Sequence, residues 1–204
     1  MIAVVDSGVA NLTSVMAALD RLGVEAEVTA DAARIQKAER VILPGVGAAA
    51  PAMAQLKKKN LLDIIPTLTQ PVLGICLGMQ ILYARYYEGQ GDPVECLGIL
   101  PGDVRAMKPG PETPIPHMGW NQITPSQPGH PLLRNIESGS YVYFVHGYAA
   151  SVGPESIATT DYGGKFTAIA GTRNFFGCQF HPERSGTVGS QILKNFLDMR
   201  TAGL

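Results

Sequence analysis

The sequence predicts an α/β fold: one mixed sheet, parallel at its centre, with helices on both faces and antiparallel additions. Three observations point there. Short apolar runs alternate with helical patterns through the first half of the chain. The first of these runs is continuously apolar, as in a strand buried on both faces. After residue 88 the pattern changes to a Gly- and Pro-rich stretch, then to short strands and a final helix.

Ile2 to Val5 is the first apolar run. Leu12, Val15, Met16, Leu19 and Leu22 then recur at helical spacing, and Gly23 stands where a helix C-terminus favours glycine. Ala26 to Thr29 reads as a second strand. Val41 to Leu43 reads as a third, stopped by Pro44-Gly45. A helix from about Ala48 to Lys58 follows. Lys57-Lys58-Lys59 is the one dense cationic run, and it suits a helix C-terminus. Val72 to Ile75 is a fourth strand, running into a helical stretch from Leu77 to about Tyr86. In the Gly- and Pro-rich stretch from Gly89 to Pro116 only short strands such as Val104 to Met107 are visible. Tyr141 to Val145, Phe166 to Ala170 and Phe175 to Phe180 look like strands, and Gly171 to Asn174 can turn one into the next. Val188, Ile192, Leu193, Phe196 and Leu197 give the last helix an apolar face. With no internal repeat or linker, residues 1–204 are expected to form one domain, able to bury roughly 70% of its unfolded surface without a staple.

Charge excludes some functions. Lys plus Arg number 16 and Asp plus Glu 17, so no basic surface for nucleic acid or a membrane is expected. Charged residues are 16% of the chain, against a typical ~25%, which suits a surface partly covered by a partner. The stretch Val72 to Ala84 is interrupted by Gly74, Gly78 and Gln80 and falls short of the about 20 residues a bilayer needs. The opening Met1 to Asp6 reads as a first strand rather than a signal peptide. Three unevenly spaced cysteines argue for a reducing compartment, hence a cytoplasmic protein. No spacing suggests a metal.

Gly74-Ile75-Cys76-Leu77-Gly78 lies between the fourth strand and the helix after it. A tight strand-to-helix turn pushes its central residue into an unfavourable backbone conformation, which flanking glycines accommodate. It also sets the Cys76 sulfur at a helix N-terminus, where the dipole favours thiolate, the reactive form. The Leu77 amide would face an oxyanion formed there. The bland alternative for Cys76 is a small buried apolar residue; Cys96 and Cys178 read that way.

Phe180-His181-Pro182-Glu183 follows an apolar strand. In an extended chain His181 and Glu183 share a side, so the carboxylate can orient the imidazole and support its charge. An imidazole so held can take a thiol proton and return it to a leaving group. Pro44-Gly45-Val46-Gly47 ends the third strand, whose end would lie beside that of the Cys76 strand. Its backbone can approach an oxyanion, with the Val46 or Gly47 amide joining that of Leu77. His130 reads as a loop residue, while His146 follows an aromatic strand and either packs or lines a site. Trp120, the chain's one tryptophan, is either a core or an interface anchor.

Cys76-Leu77-Gly78-Met79-Gln80 and His181-Pro182-Glu183 resemble the catalytic signatures of class I triad glutamine amidotransferases. Pro44 to Gly47, His117-Met118-Gly119-Trp120-Asn121, Tyr143 to Tyr148 and Arg184-Ser185-Gly186 narrow the resemblance to the glutaminase subunits of imidazole glycerol phosphate synthase. The resemblance implies a flavodoxin-like sheet and no cofactor. It also implies a heterodimer with a (β/α)8-barrel cyclase subunit that receives ammonia from glutamine. It makes Cys76 the nucleophile, His181 the base and Glu183 its orienter. Val46 becomes an oxyanion amide, Gly47, Gln80 and Glu88 substrate contacts, and His117, Met118, Trp120 and Asn121 the partner face. Tyr86-Tyr87 ahead of Glu88, and Gly147 where relatives carry Ser or Thr, depart from the pattern. The related cysteine proteases and chaperones place His after the cysteine, where this chain has Leu77. Glutaminases of other pathways differ at His117 to Asn121, and an inactive binding module would have no need of all three triad residues.

Overall fold

A computed structural model describes residues 1–8, 10–89 and 91–199. The first half runs β1 (Ile2–Val5), α1 (Leu12–Arg21), β2 (Ala26–Thr29), α2 (Ala32–Lys37), β3 (Arg40–Gly45), α3 (Ala49–Lys58), β4 (Val72–Cys76) and α4 (Leu77–Gln80). The strands β5 (Tyr83–Tyr86), β6 (Val94–Glu95), β7 (Leu100–Ala106), β8 (His117–Pro125), β9 (Ser140–His146) and β10 (Tyr148–Ala150) follow. The chain closes with β11 (Ser156–Asp161), β12 (Lys165–Thr172), β13 (Phe175–Cys178) and α5 (Gly186–Asp198).

A nine-stranded sheet has the order β2-β1-β3-β4-β13-β12-β11-β8-β9. It is parallel from β2 to β13 and antiparallel from there to β9. The parallel half carries the flavodoxin-like order, with ligand-binding crevices outside the carboxyl ends of its strands. Its strands are apolar throughout because both faces are covered. Val4 joins a core with Val15 and Leu19 of α1 and Ile192 and Phe196 of α5. Ala3 and Val5 join the opposite core, with Ile35 of α2 and Ala52 and Leu56 of α3. As expected, Gly23 ends α1 at φ +70°, its N–H bonded to the Asp20 carbonyl. At the far end of α3, Lys59 pairs with Asp6 at 2.9 Å.

Three expectations are corrected, and one helix was not foreseen. A single sheet does not account for the chain: β10, β7, β5 and β6 form a second one. The helix expected from Leu77 to about Tyr86 stops at Gln80. Beyond it, the N–H groups of Leu97 and Ile99 bond the carbonyls of Ile81 and Leu82, and Tyr83 pairs with Leu100. Residues 77 to 83 are all buried, so no one-sided stripe marks where helix gives way to strand. β3 does not halt at Pro44: it runs on through Gly45, which sits opposite Cys76. The short helix α2 escaped notice because it buries only Ile35; the Asp31 carboxylate caps it, accepting from the Arg34 N–H at 2.9 Å.

Among the described residues, no helix is long and apolar enough to cross a membrane.

Candidate active site

The site sits where β3 and β4 end together. Cys76 adopts φ 54° and ψ −111°, a left-handed conformation for a residue with a side chain. Such strain costs on the order of 1–3 kcal/mol and persists only where its surroundings enforce it. Here α4 starts at the next residue and presses against both strands. A Cβ at Gly78 would run into the Leu43 carbonyl oxygen, and one at Gly74 would lie 2.6 Å from the Gly78 oxygen. The two glycines are therefore required by close approach of backbone, as the spacing predicted.

Cys76 is 7% exposed, at the wall of a cleft of about 230 Å³. Val46, Gly47, Gln80, His181 and Glu183 line the same cleft. Gly47 has φ +92°, open only to glycine without strain. Leu77 packs its side chain into the core, while its N–H is among those of the first helical turn, which lack partners within the helix.

His181 and Glu183 do meet, by a route other than the one expected. His181 is extended, but Pro182–Arg184 forms a 3-10 turn, and this turn carries the Glu183 carboxylate back to the ring. His181 Nδ1 lies 2.8 Å from Glu183 Oε1. The backbone is pinned as well. The His181 N–H donates to the Tyr143 carbonyl at 2.9 Å. Ser185 Oγ donates to the His181 carbonyl at 2.7 Å and accepts from the Tyr143 N–H at 2.9 Å. Burial opposes a charge on His181, but hydrogen bonds with Cys76 and Glu183, and the charges of both, outweigh it and lift its pKa to about 10. The imidazole faces the sulfur on one side and the carboxylate on the other, a setting that favours its charged form. Burial pushes the half-buried Cys96 thiol up to about 12 and the fully buried Cys178 thiol higher still.

The remaining expected residues divide. Gln80 is anchored: its Nε2 donates to the Tyr148 carbonyl at 2.9 Å and to Gln179 Oε1 at 3.0 Å. Glu88, expected at the substrate, does not line the cleft. Its Oε1 accepts from the Ala49 N–H at 2.7 Å, capping α3, whose N-cap Ala48 has no side chain to do so. His117, expected on the partner face, is 3% exposed and hydrogen-bonded to His146 instead. Its neighbours are outward: Met118 is 62% and Trp120 55% exposed, and Asn121 is half-buried. The Trp120 ring packs edge-on against Tyr143, and the Arg184 guanidinium lies over the other aromatic partner, 5.5 Å from the Tyr143 centroid.

Sequence reasoning missed the roles of Ser185 and Gln179; His146, read as a site-lining or a packed histidine, is both. Gln179 had a visible signal: a polar side chain in an apolar strand, two residues before His181. Ser185 stood only within the Arg184-Ser185-Gly186 run, and its pinning role was hidden because one of its two partners, Tyr143, comes from β9.

Residues 3–199 match the family model described as glutamine amidotransferase class-I. The chain is 51% identical over 198 residues to the imidazole glycerol phosphate synthase subunit HisH of Xanthomonas campestris pv. campestris (strain 8004), covering 97% of each. It is 48% identical over 212 residues to the HisH subunit of Shewanella oneidensis, covering 98% of this chain and 96% of that one. In fold it resembles a solved glutamine amidotransferase at TM-score 0.72 and 17% identity, over 100% of this chain and 99% of that one.

Proposed function

Because this chain belongs to the class-I glutamine amidotransferase family and, within it, to the glutaminase subunits of imidazole glycerol phosphate synthase, we propose that Cys76, His181 and Glu183 hydrolyse glutamine through a thioester and pass ammonia to a cyclase subunit. The observation that carries this reading is the strained Cys76 beside an imidazole that Glu183 holds at 2.8 Å.

The sulfur, its proton held on His181, attacks the carboxamide carbon of glutamine. The oxyanion that forms is met by the N–H groups of Leu77 and of Val46 or Gly47, preset donors that need no reorganisation. His181 gives its proton to the leaving nitrogen, ammonia departs, and the acyl group stays on sulfur as a thioester. The now neutral imidazole takes a proton from water, hydroxide adds to the thioester, and sulfur leaves with glutamate released. Glu183 keeps the ring oriented and offsets its charge in both halves. Gln80 and Gly47 hold the substrate. Residues 1–204 act as one amidotransferase domain, and the triad's ammonia enters a barrel-shaped cyclase docked over Met118, Trp120 and Asn121. We place the enzyme in the cytoplasm with its metabolic substrates.

The test is Cys76→Ala in the reconstituted complex. Glutamine-dependent synthesis should disappear while supplied ammonia still drives it. Retention of more than about a hundredth of the wild-type glutamine turnover removes Cys76 from the role of nucleophile.

A further inference from the structure

Gln179 is wholly buried, at 0% exposure, in the segment that runs from β13 to His181. Burying an amide is unfavourable unless its polar atoms are used, and both of these are. One atom lies 3.0 Å from Gln80 Nε2 and the other 3.8 Å from the Cys76 sulfur.

The orientation of the two amides follows from one fixed point. The Tyr148 carbonyl can only accept, so the Gln80 atom 2.9 Å from it must be nitrogen. That nitrogen has a second hydrogen, directed at Gln179, which must therefore present its oxygen. The Gln179 nitrogen is left facing the sulfur. Gln80 in turn has spent both N–H groups and offers the cleft it lines only a carbonyl oxygen. Rotating Gln80 by half a turn would set its oxygen against the Tyr148 carbonyl, and rotating Gln179 would set N–H against N–H, so the pair has one satisfied arrangement.

We propose that Gln179 is a positioning residue for glutamine hydrolysis: it locks the Gln80 amide with its oxygen towards the substrate and aims an N–H at the Cys76 sulfur. This rests on the glutaminase reading and adds the polarity of the substrate wall. A Gln80 held at both N–H groups accepts from a substrate N–H; without Gln179 one N–H is released and the Tyr148 carbonyl alone holds the amide.

Two substitutions separate the two contacts, measured in the complete complex with its cyclase. Gln179→Glu keeps an oxygen for Gln80 and sets a carboxyl against the sulfur in place of the amide N–H, so kcat should fall about tenfold or more while KM stays within about threefold. Gln179→Met loses both contacts, so KM should rise about tenfold as well. In a Gln80→Ala background, Gln179→Met should leave KM unchanged, because its effect on binding acts through Gln80. A merely structural Gln179 would instead shift melting temperature, with both variants alike in KM. Wild-type kcat and KM in folded Gln179→Met, or a full KM effect without Gln80, overturns the proposal. Neutron diffraction of the wild type gives a reading that needs no variant: a Gln179 N–D pointing at sulfur supports it, and an oxygen there overturns it. If the wild-type complex releases no glutamate from glutamine, the glutaminase reading itself fails. If it does and the Gln179 variants match it, only this inference fails.

Discussion

Glu183 acts on His181 from within one 3-10 turn, so its effect on the ring is local and separable from the fold. Glu183→Gln preserves the shape and removes the charge that supports the imidazolium. Turnover should drop on the order of 10²–10⁴, with a smaller change in glutamine affinity. Equal damage to affinity with none to turnover would put Glu183 in substrate binding. The same variant has a signature in stability. His181 has a folded pKa raised to about 10, against an ordinary 6.5. Its contribution is therefore complete below pH 6.5 and is lost as pH rises towards 10. The wild type should lose melting temperature over that alkaline window, and Glu183→Gln should lose less. Parallel curves for the two proteins would show that Glu183 does not support the charge.

The β8–β9 pair shows how an element can carry two roles on alternate residues. Its outward positions Met118 and Trp120 are exposed, while His117 and Ile123 are buried between them and the core. His117 faces His146 across the register, and the two rings bond at 3.0 Å. The Tyr148 carbonyl, 2.8 Å from His146 Nδ1, can only accept, so that nitrogen carries the hydrogen and His146 Nε2 accepts from His117. His117 Nε2 then accepts from Asn121 Nδ2 at 3.3 Å. Both rings are neutral in this arrangement. Burial holds each pKa down to about 4, with the His146–Tyr148 hydrogen bond opposing it at His146. A lowered base destabilises the fold as acid is added, because the unfolded chain takes protons the native one refuses. Stability from this pair is complete above pH 6.5 and is lost as pH falls from there towards 4. Thermal melts of the wild type should fall over that window more steeply than those of His117→Gln/His146→Gln. Equal slopes would mean that the pair is already protonated in the native state. This acidic window does not overlap the alkaline one of His181, so the two are separable in one titration.

At the scale of the whole molecule, the sheet brings the cleft and an exposed aromatic face together. Trp120 packs on Tyr143, Tyr143 lies under Arg184, and Arg184 follows Glu183. Tyr143 also holds both sides of the His181 segment through its backbone. A cyclase covering Trp120 would thus press on a face one residue removed from the triad. Trp120→Ala should weaken partner binding by about 2 kcal/mol or more, measured by calorimetric titration of the two subunits. The melting temperature of the isolated chain should hardly change, since the ring is 55% exposed. The reverse pattern, a sharp loss of stability at constant affinity, would place the interface elsewhere. Glutaminase activity of the isolated chain should be low and rise by orders of magnitude with the cyclase and its ligand.

Local stereochemistry was legible in the residues themselves. The Gly74-x-Cys76-x-Gly78 spacing determined a crowded elbow, because only glycine lets α4 close on Leu43. The continuous run Ile2–Val5 determined a strand covered on both faces, because neither Val4 nor Ala3 and Val5 could face water. His181-Pro182-Glu183 set an imidazole beside a carboxylate, although a turn rather than a strand joins them. What the tertiary structure decided depended on partners distant in sequence. Strand pairing with Leu100 converted Tyr83–Tyr86 from helix to strand. The α3 N-terminus drew Glu88 away from the cleft. His146 drew His117 inward from a face where its neighbours point out. In each case residues of similar local preference had two uses, and a backbone or side-chain hydrogen-bonding group more than ten residues away selected one.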